Sequence, residues 1–414
     1  MSQRILVLGA GFGGVWSALS AILALENAGK CNAVEVVLIA PEPIMYMRPR
    51  FYETDLSDVA PSIKDLLDTV GVKYIQGTVT FIDTKAHSVK YNESSSIGYD
   101  RLILATGSKV IMPSSVSGLE NYAFIVDSYE GSLALDKHLK TLSSLPPSPA
   151  RNTIVVAGGG FTGIETATEL PGRLLQLLGE GVGKVVLVER NEEVGPDLGP
   201  GPRPAILQAL EELGITLYTG DGVASVDADK VTTESGRRIE AKTVIWTAGV
   251  RASSLTEQIE GAKLDANGRL FVDASMKVVG VEDVYATGDT AHALADGEGH
   301  ATLMSCQHAL FMGRSSGYNA ARDLLGLPPR PYEQAAYTTC LDLGGWGAVV
   351  TFGWDRKVIL KLREEAKKFK QLINTKLIYP PQGADRAEAL KCANPSMQLE
   401  EKDGGLVAVF KELE

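Results

Sequence analysis

Gly9, Gly11 and Gly14 lie where an apolar run meets a helical pattern, and glycines so placed can hold a phosphate. The stretch from Arg4 to Gly14 reads R-I-L-V-L-G-A-G-F-G-G, and apolar residues then recur at Trp16, Leu19, Ile22, Leu23 and Leu25. A strand that turns sharply into a helix offers backbone N–H donors and the positive end of the helix dipole to an anion. Gly9 permits the turn, Gly11 lets the backbone approach a pyrophosphate, and Gly14 lets helix and strand pack closely. The pattern returns from Thr153 to Gly163 as T-I-V-V-A-G-G-G-F-T-G, with Gly158, Gly160 and Gly163 at the same spacing. The apolar run Val185 to Val188 then ends at Glu189, a carboxylate able to accept from a ribose 2′-OH. Two such units predict two dinucleotides, and a flavin with a nicotinamide nucleotide is the economical pair.

The elements around these loops follow in order. In the first unit a second strand, Val34 to Ile39, ends at Ala40-Pro41, where the usual ribose-binding acid is missing; Glu42 is the nearest carboxylate. The segment 45–53, M-Y-M-R-P-R-F-Y-E, either borders a flavin ring or packs the domain. A short helix is expected over 61–70, with Pro61 in its first turn. Antiparallel strands are expected over 72–82 and 88–91. A buried strand from Asp100 ends in Thr106-Gly107, where the absent side chain of Gly107 allows close approach to a cofactor. Residues 110–120 read as a connection between domains, and the Pro- and Ser-rich run 143–150 leads into the second unit. There a helix over 204–213 stops at Gly214, and short strands in 215–245 end in V-I-W-T-A-G at Gly249. Fingerprint, small sheet and strand ending in glycine thus occur twice in the same order. Residues 268–273 read as a turn and strand. V-Y-A-T-G-D-T (284–290) then puts Gly288 and Asp289 where a strand meets a helix start. Asp289 suits a polyol hydroxyl or a helix cap. A helix is expected over 304–321.

The chain has 414 residues, too many for one core, so two or three domains are expected. A net charge of −11 argues against nonspecific nucleic-acid binding. The four cysteines contain no CxxC, and the histidines have no metal-ligand spacing, so no metal is expected. A strand beginning at Arg4 leaves no room for a signal peptide, and no apolar run reaches the ~18 residues of a membrane span. A reducing cytoplasm fits best. Near the C-terminus 346–354 favours a strand. Over 357–378, Val358, Leu362, Ala366, Phe369, Ile373 and Leu377 recur at helical spacing beside seven basic residues, Lys370 among them. That pattern reads either as a helix on an anionic membrane face or as one packed on the protein with its lysines in water. The remainder is polar, with one strand expected at 406–410.

Taken together, G-A-G-F-G-G (9–14), A-T-G (105–107), G-G-G-F-T-G-I-E (158–165), T-A-G-V (247–250) and Y-A-T-G-D (285–289) resemble the two-dinucleotide-binding-domain flavoproteins. Within them the chain looks most like the type II NADH dehydrogenases, over roughly 4–380. The resemblance implies an α/β fold of two Rossmann-like domains, the NAD domain inserted in the FAD domain, with a smaller α+β C-terminal region. The boundaries would be 1–118 and 265–331 for FAD, 119–264 for NAD(H) and 332–414 for the interface or membrane region. It implies non-covalent FAD, NADH as co-substrate, a quinone-like acceptor, a homodimer, and attachment to the cytoplasmic face of the membrane. Glu165 would stand beside the nicotinamide and the quinone, Glu169 would follow on the same helix, and Gly288 and Asp289 would meet the FAD ribitol and pyrophosphate. In the quinone-site helix Gln307 and Ala309 match the family, whereas Cys306 and Phe311 replace an alanine and a glutamine; an aromatic there can stack on a flat ring. Gln307 and Glu165 are therefore the candidates for the electron-exit side, with Glu165 or His308 as proton relay. The alternatives are a sulfide:quinone oxidoreductase-like enzyme, which would need Cys306 and Cys340 to meet at the flavin, and a soluble NAD(P)H-dependent flavin reductase or oxidase with a non-quinone acceptor.

Overall fold

The computed structural model describes residues 3–334, 336–383, 385–402 and 405–410, with side chains up to 397. Two parallel five-stranded sheets dominate it. The first has the order Val284–Ala286, Arg101–Leu104, Gln3–Leu8, Val34–Ala40, Lys73–Gln76. The second has the order Thr216–Tyr218, Lys184–Val188, Thr153–Ala157, Thr243–Trp246, Ala123–Phe124. All strands of the second sheet precede, in sequence, the last strand of the first. The second unit is thus inserted in the first, as expected. The central strands are apolar and buried over Ile5–Leu8 and Ile154–Ala157, as parallel strands covered by helices must be.

The internal duplication is visible in three dimensions. Each parallel sheet carries a three-stranded antiparallel sheet, Val79–Asp83 with Ser88–Tyr91 and Ser95–Gly98 in one, Val223–Val226 with Lys230–Thr233 and Arg238–Glu240 in the other. Where the chain leaves and re-enters the first unit, Ser108–Val110 and Val250–Ala252 pair side by side, antiparallel. The Phe12–Asn27 helix lies against the Cys306–Leu324 helix at backbone contact: a Cβ on Gly313 would sit 2.5 Å from the Gly13 carbonyl, and one on Gly317 1.9 Å from that of Ser17. This close crossing brings the start of the later helix to the first glycine loop.

Several local expectations are corrected. Lys73–Gln76 is the parallel edge of the first sheet, because the chain breaks at Gly77, whose N–H donates to the Ala40 carbonyl at 2.9 Å. The helix expected from Pro61 starts at Lys64, since the backbone at Pro61 and Ile63 is bonded to the 43–45 segment. The single amphipathic helix over 357–378 does not form. Val358–Leu362 is an edge strand on Ala348–Phe352, Arg363–Leu372 is a helix, and Ile373–Leu377 makes one π-helical turn. Arg363 has φ +56°, so no helix passes through it. Ala366 and Phe369 are buried on the protein's own sheet against Cys340, Ala348 and Val350. Val358, Ile359, Leu360 and Leu362 are instead exposed by 37–53%. Further on, an unexpected helix spans Arg386–Cys392, capped by Asp385, whose carboxylate accepts from the Glu388 N–H. The expected strand near 406–410 is present and pairs with Met397–Lys402.

Candidate active site

Both glycine loops have the geometry their spacing predicts. Gly9 and Gly158 have φ +109° and +113°, which a side chain would strain. A Cβ on Gly14 would lie 2.0 Å from the Gly9 carbonyl oxygen, and one on Gly163 1.8 Å from that of Gly158. At Gly11 and Gly160, by contrast, a Cβ would meet no atom within 4 Å. Each of these two residues caps its helix in an extended conformation with no side-chain bond, so the helix N-terminus faces free space. That is where a pyrophosphate fits. Around the first loop, the Thr106 and Thr287 hydroxyls are buried without a protein partner. A Cβ on Gly9 would touch Ala105, and one on Gly13 would touch Thr287, so both hydroxyls border this loop. Gly107, Gly249 and Gly288 all have positive φ, which lets the three strand ends turn without a side chain.

Asp289 is not a helix cap. The long helix after it is capped by Ser305, while the Asp289 carboxylate accepts from the Ser108 hydroxyl at 2.6 Å and from Arg48 at 3.3 Å. Arg48 also donates to Ser108 and pairs with Asp127, which accepts from the Val110 N–H, tying the 45–53 segment to the crossing at Ser108–Val110. The exposed Glu42 accepts from the Tyr46 hydroxyl. Glu189, only 5% exposed, lies at the second loop. It accepts from the Gly159 N–H at 2.6 Å and from the Asn191 backbone at 2.7 Å. Arg190 turns away to Glu234.

Glu165 sits on the helix that follows the second loop, and this helix buries it. Its Oε1 accepts from Lys370 Nζ at 2.8 Å and from the Asp342 backbone N–H at 3.0 Å. Burial pushes the Glu165 carboxyl up to about 7 against the pull of Lys370. Burial alone would lower Lys370, but Glu165 outweighs it and holds the ammonium above its usual range. Asp342 in turn accepts from Lys367 and from the Tyr52 hydroxyl, and Glu169 accepts from Thr54. Lys370, Lys367, Asp342 and Tyr52 were not singled out from sequence as site residues. The available signal was the position of Lys370 beside Phe369, on the flank of the stripe that is buried.

Gln307 and Cys306 form the first turn of the Cys306–Leu324 helix. The Cys306 thiol feels the charges of Lys370, Asp289 and Glu165, so this turn, the Asp289 turn and the Glu165 pair share one locale. Burial pushes the thiols of Cys306 and Cys340 up to about 11 and about 12. His308 is fully buried, stacked on Tyr337 and Trp354 and bonded to Gln334. Burial lowers it to about 4, which makes it a neutral packing residue. Asp296, Glu298 and His300 cluster in one turn closed by their own hydrogen bonds.

Two glycine-loop dinucleotide units, one inserted in the other, with a buried acid–lysine pair beside the second, define a two-dinucleotide flavoprotein oxidoreductase. Residues 3–313 match the pyridine nucleotide-disulphide oxidoreductase family, and the chain belongs to it. It is 44% identical over 399 residues to an NADH dehydrogenase-like protein of Mycobacterium tuberculosis, covering 95% of this chain and 99% of that one. It is 26% identical over 400 residues to the type II NADH:quinone oxidoreductase of Staphylococcus saprophyticus, covering 91% and 95%. Its fold matches NDH2 from Plasmodium falciparum in complex with NADH with a TM-score of 0.75 at 16% identity, covering 92% and 95%. The protein is an FAD- and NADH-dependent oxidoreductase of the type II NADH dehydrogenase kind.

Proposed function

We propose that the protein oxidises NADH and reduces a quinone-like acceptor at the Glu165 site. The observation that carries this reading is a buried carboxyl poised near neutrality, with its own lysine, on the helix that starts at the second glycine loop. FAD, when bound, would supply a two-electron carrier between the nicotinamide hydride and the second substrate. Gly9, Gly11 and Gly14 would hold its pyrophosphate, and Thr106, Gly107, Gly249, Gly288, Asp289 and Glu42 would be its further binding residues. Gly158, Gly160 and Gly163 hold the NADH pyrophosphate, and Glu189 holds its ribose. An acid there repels a 2′-phosphate, which favours NADH over NADPH. Glu189→Gln is expected to raise the NADH KM roughly tenfold, the order of one hydrogen bond to a charged group. An unchanged KM removes Glu189 from the ribose site.

A quinone that takes two electrons also takes two protons. Glu165, neutral below about 7, can hold one of them against the acceptor, and Gln307 can orient the acceptor's carbonyl. The sulfide alternative is disfavoured by thiols held protonated by burial. Stopped-flow mixing tests the reading: NADH bleaches the flavin absorbance, and a short-chain quinone restores it. Bleaching without restoration by quinone rejects the acceptor.

The domain boundaries that go with this reading are 1–118 and 265–331 for FAD, 119–264 for NADH and 332–414 for interfaces. Among the described residues no helix is long and apolar enough to cross a membrane. Peripheral membrane contact, for which the cytoplasmic face is the proposed side, has its support in exposed Val358, Ile359, Leu360 and Leu362 beside Lys357, which bear on contact and not on the face. A homodimer is proposed on the same C-terminal region. Val358→Asp and Leu360→Asp are each expected to weaken sedimentation with anionic phosphatidylglycerol vesicles roughly tenfold, the order of one buried aliphatic side chain. Undiminished sedimentation removes this strand from the contact.

A further inference from the structure

We propose that Asp342 and Lys367 are positioning residues of opposite sign that set how tightly Glu165 holds its proton. The inference rests on the reading of Glu165 as the acid on the acceptor side. The Arg363–Leu372 helix presents Lys367 and Lys370 one turn apart, on neighbouring positions of one face. Each meets a different acid: Lys370 bonds Glu165 at 2.8 Å, and Lys367 bonds Asp342 at 2.6 Å. The two pairs are joined through Asp342, whose N–H is bonded to Glu165 while its carboxylate takes Lys367, the Gly344 N–H and the Tyr52 hydroxyl. Three of the four charged side chains are 4–7% exposed, and Lys367, at 26%, is the one that reaches water.

The groups that face Glu165 are Lys370 from this helix, Asp342 and Cys340 from the Thr338–Asp342 strand, Tyr52 from the 45–53 segment and Cys306 from the Cys306–Leu324 helix. Glu169 lies one turn on along its own helix. In so dry a site a like charge favours the neutral carboxyl and an opposite charge favours the ionised one. Asp342 therefore strengthens the hold of Glu165 on its proton. Lys367 screens Asp342, so removing Lys367 leaves that anion uncompensated and strengthens the hold further. Two neighbours on one surface thus move the same carboxyl in opposite directions, a result that loosened packing does not imitate.

The test reads Glu165 directly. In an infrared difference titration of the holoprotein, the protonated-carboxyl C=O band that is missing from Glu165→Gln reports this residue without any acceptor. Its midpoint in the parent protein is expected near 7. Asp342→Asn is expected to lower it by roughly one pH unit and Lys367→Met to raise it by a similar amount, the order of one neighbouring charge. Midpoints that stay together, or move the same way in both variants, overturn the inference. The rate at which a short-chain quinone restores the flavin absorbance, measured over the same pH range, separates the two claims. If the band moves and the rate does not follow it, Asp342 and Lys367 keep their role and the proposed role of Glu165 in acceptor reduction falls.

Discussion

Replacing Gly160 with valine is expected to yield a protein that keeps its FAD and is reduced by NADH far more slowly. Gly160 has φ −77° and ψ −170°, a conformation open to any residue, and a Cβ there has no neighbour within 4 Å. The fold has no reason to resist the change, and stability is expected within about 0.5 kcal/mol of the parent. The isopropyl group instead fills the space in front of the helix N-terminus, where the NADH pyrophosphate takes its N–H donors. Losing two charge-assisted bonds of about 1.5 kcal/mol each slows flavin bleaching by NADH roughly 100-fold. Gly11→Val is the mirror case, folded but depleted of FAD. Gly163→Val differs from both, because its Cβ would collide with the Gly158 carbonyl at 1.8 Å and the loop itself could not close. Normal bleaching in Gly160→Val would show that NADH does not use this loop.

The second large effect concerns the other half of the reaction. Glu165→Gln is expected to leave bleaching by NADH in place and to slow restoration of the flavin absorbance by quinone at least roughly 100-fold, the lower range for a lost general acid. The same change leaves the Lys370 ammonium buried with no carboxylate, at a cost of about 3 kcal/mol. Chemistry and stability are then separated by the double variant Glu165→Gln with Lys370→Met. It removes both charges, so thermal stability returns toward the parent while quinone reduction does not. If single-turnover quinone reduction by Glu165→Gln matches the parent, Glu165 is not the acid. In the parent the neutral form of Glu165 is lost as pH rises through about 7, so quinone reduction is expected to fall over that interval.

The features legible in the sequence were those set by neighbours along the chain. A glycine loop is dictated by positive φ at Gly9 and Gly158 and by close backbone approach at Gly14 and Gly163, all within a few residues. The parallel strands showed as apolar runs because both faces are buried, the repeated order of pieces showed the duplication, and the insertion of one unit in the other followed from the family resemblance. The Arg386–Cys392 helix was also within reach, since Asp385 and Glu388 have cap spacing. The C-terminal stripe misled because its spacing suits a helix, whereas the break at Arg363 is a tertiary constraint imposed by pairing of Val358–Leu362 with the adjacent strand. Sequence by itself determined the two nucleotide loops, which rest on local backbone conformation and periodicity, and its motifs carried the resemblance that implied the class of fold and the likeness to NADH dehydrogenases. Only the tertiary structure decided that Lys370 belongs to Glu165, Lys367 to Asp342 and Arg48 to Asp289, and that His308 is packing. Such pairings join residues distant in the chain, and what joins them is the cost of burying a charge alone.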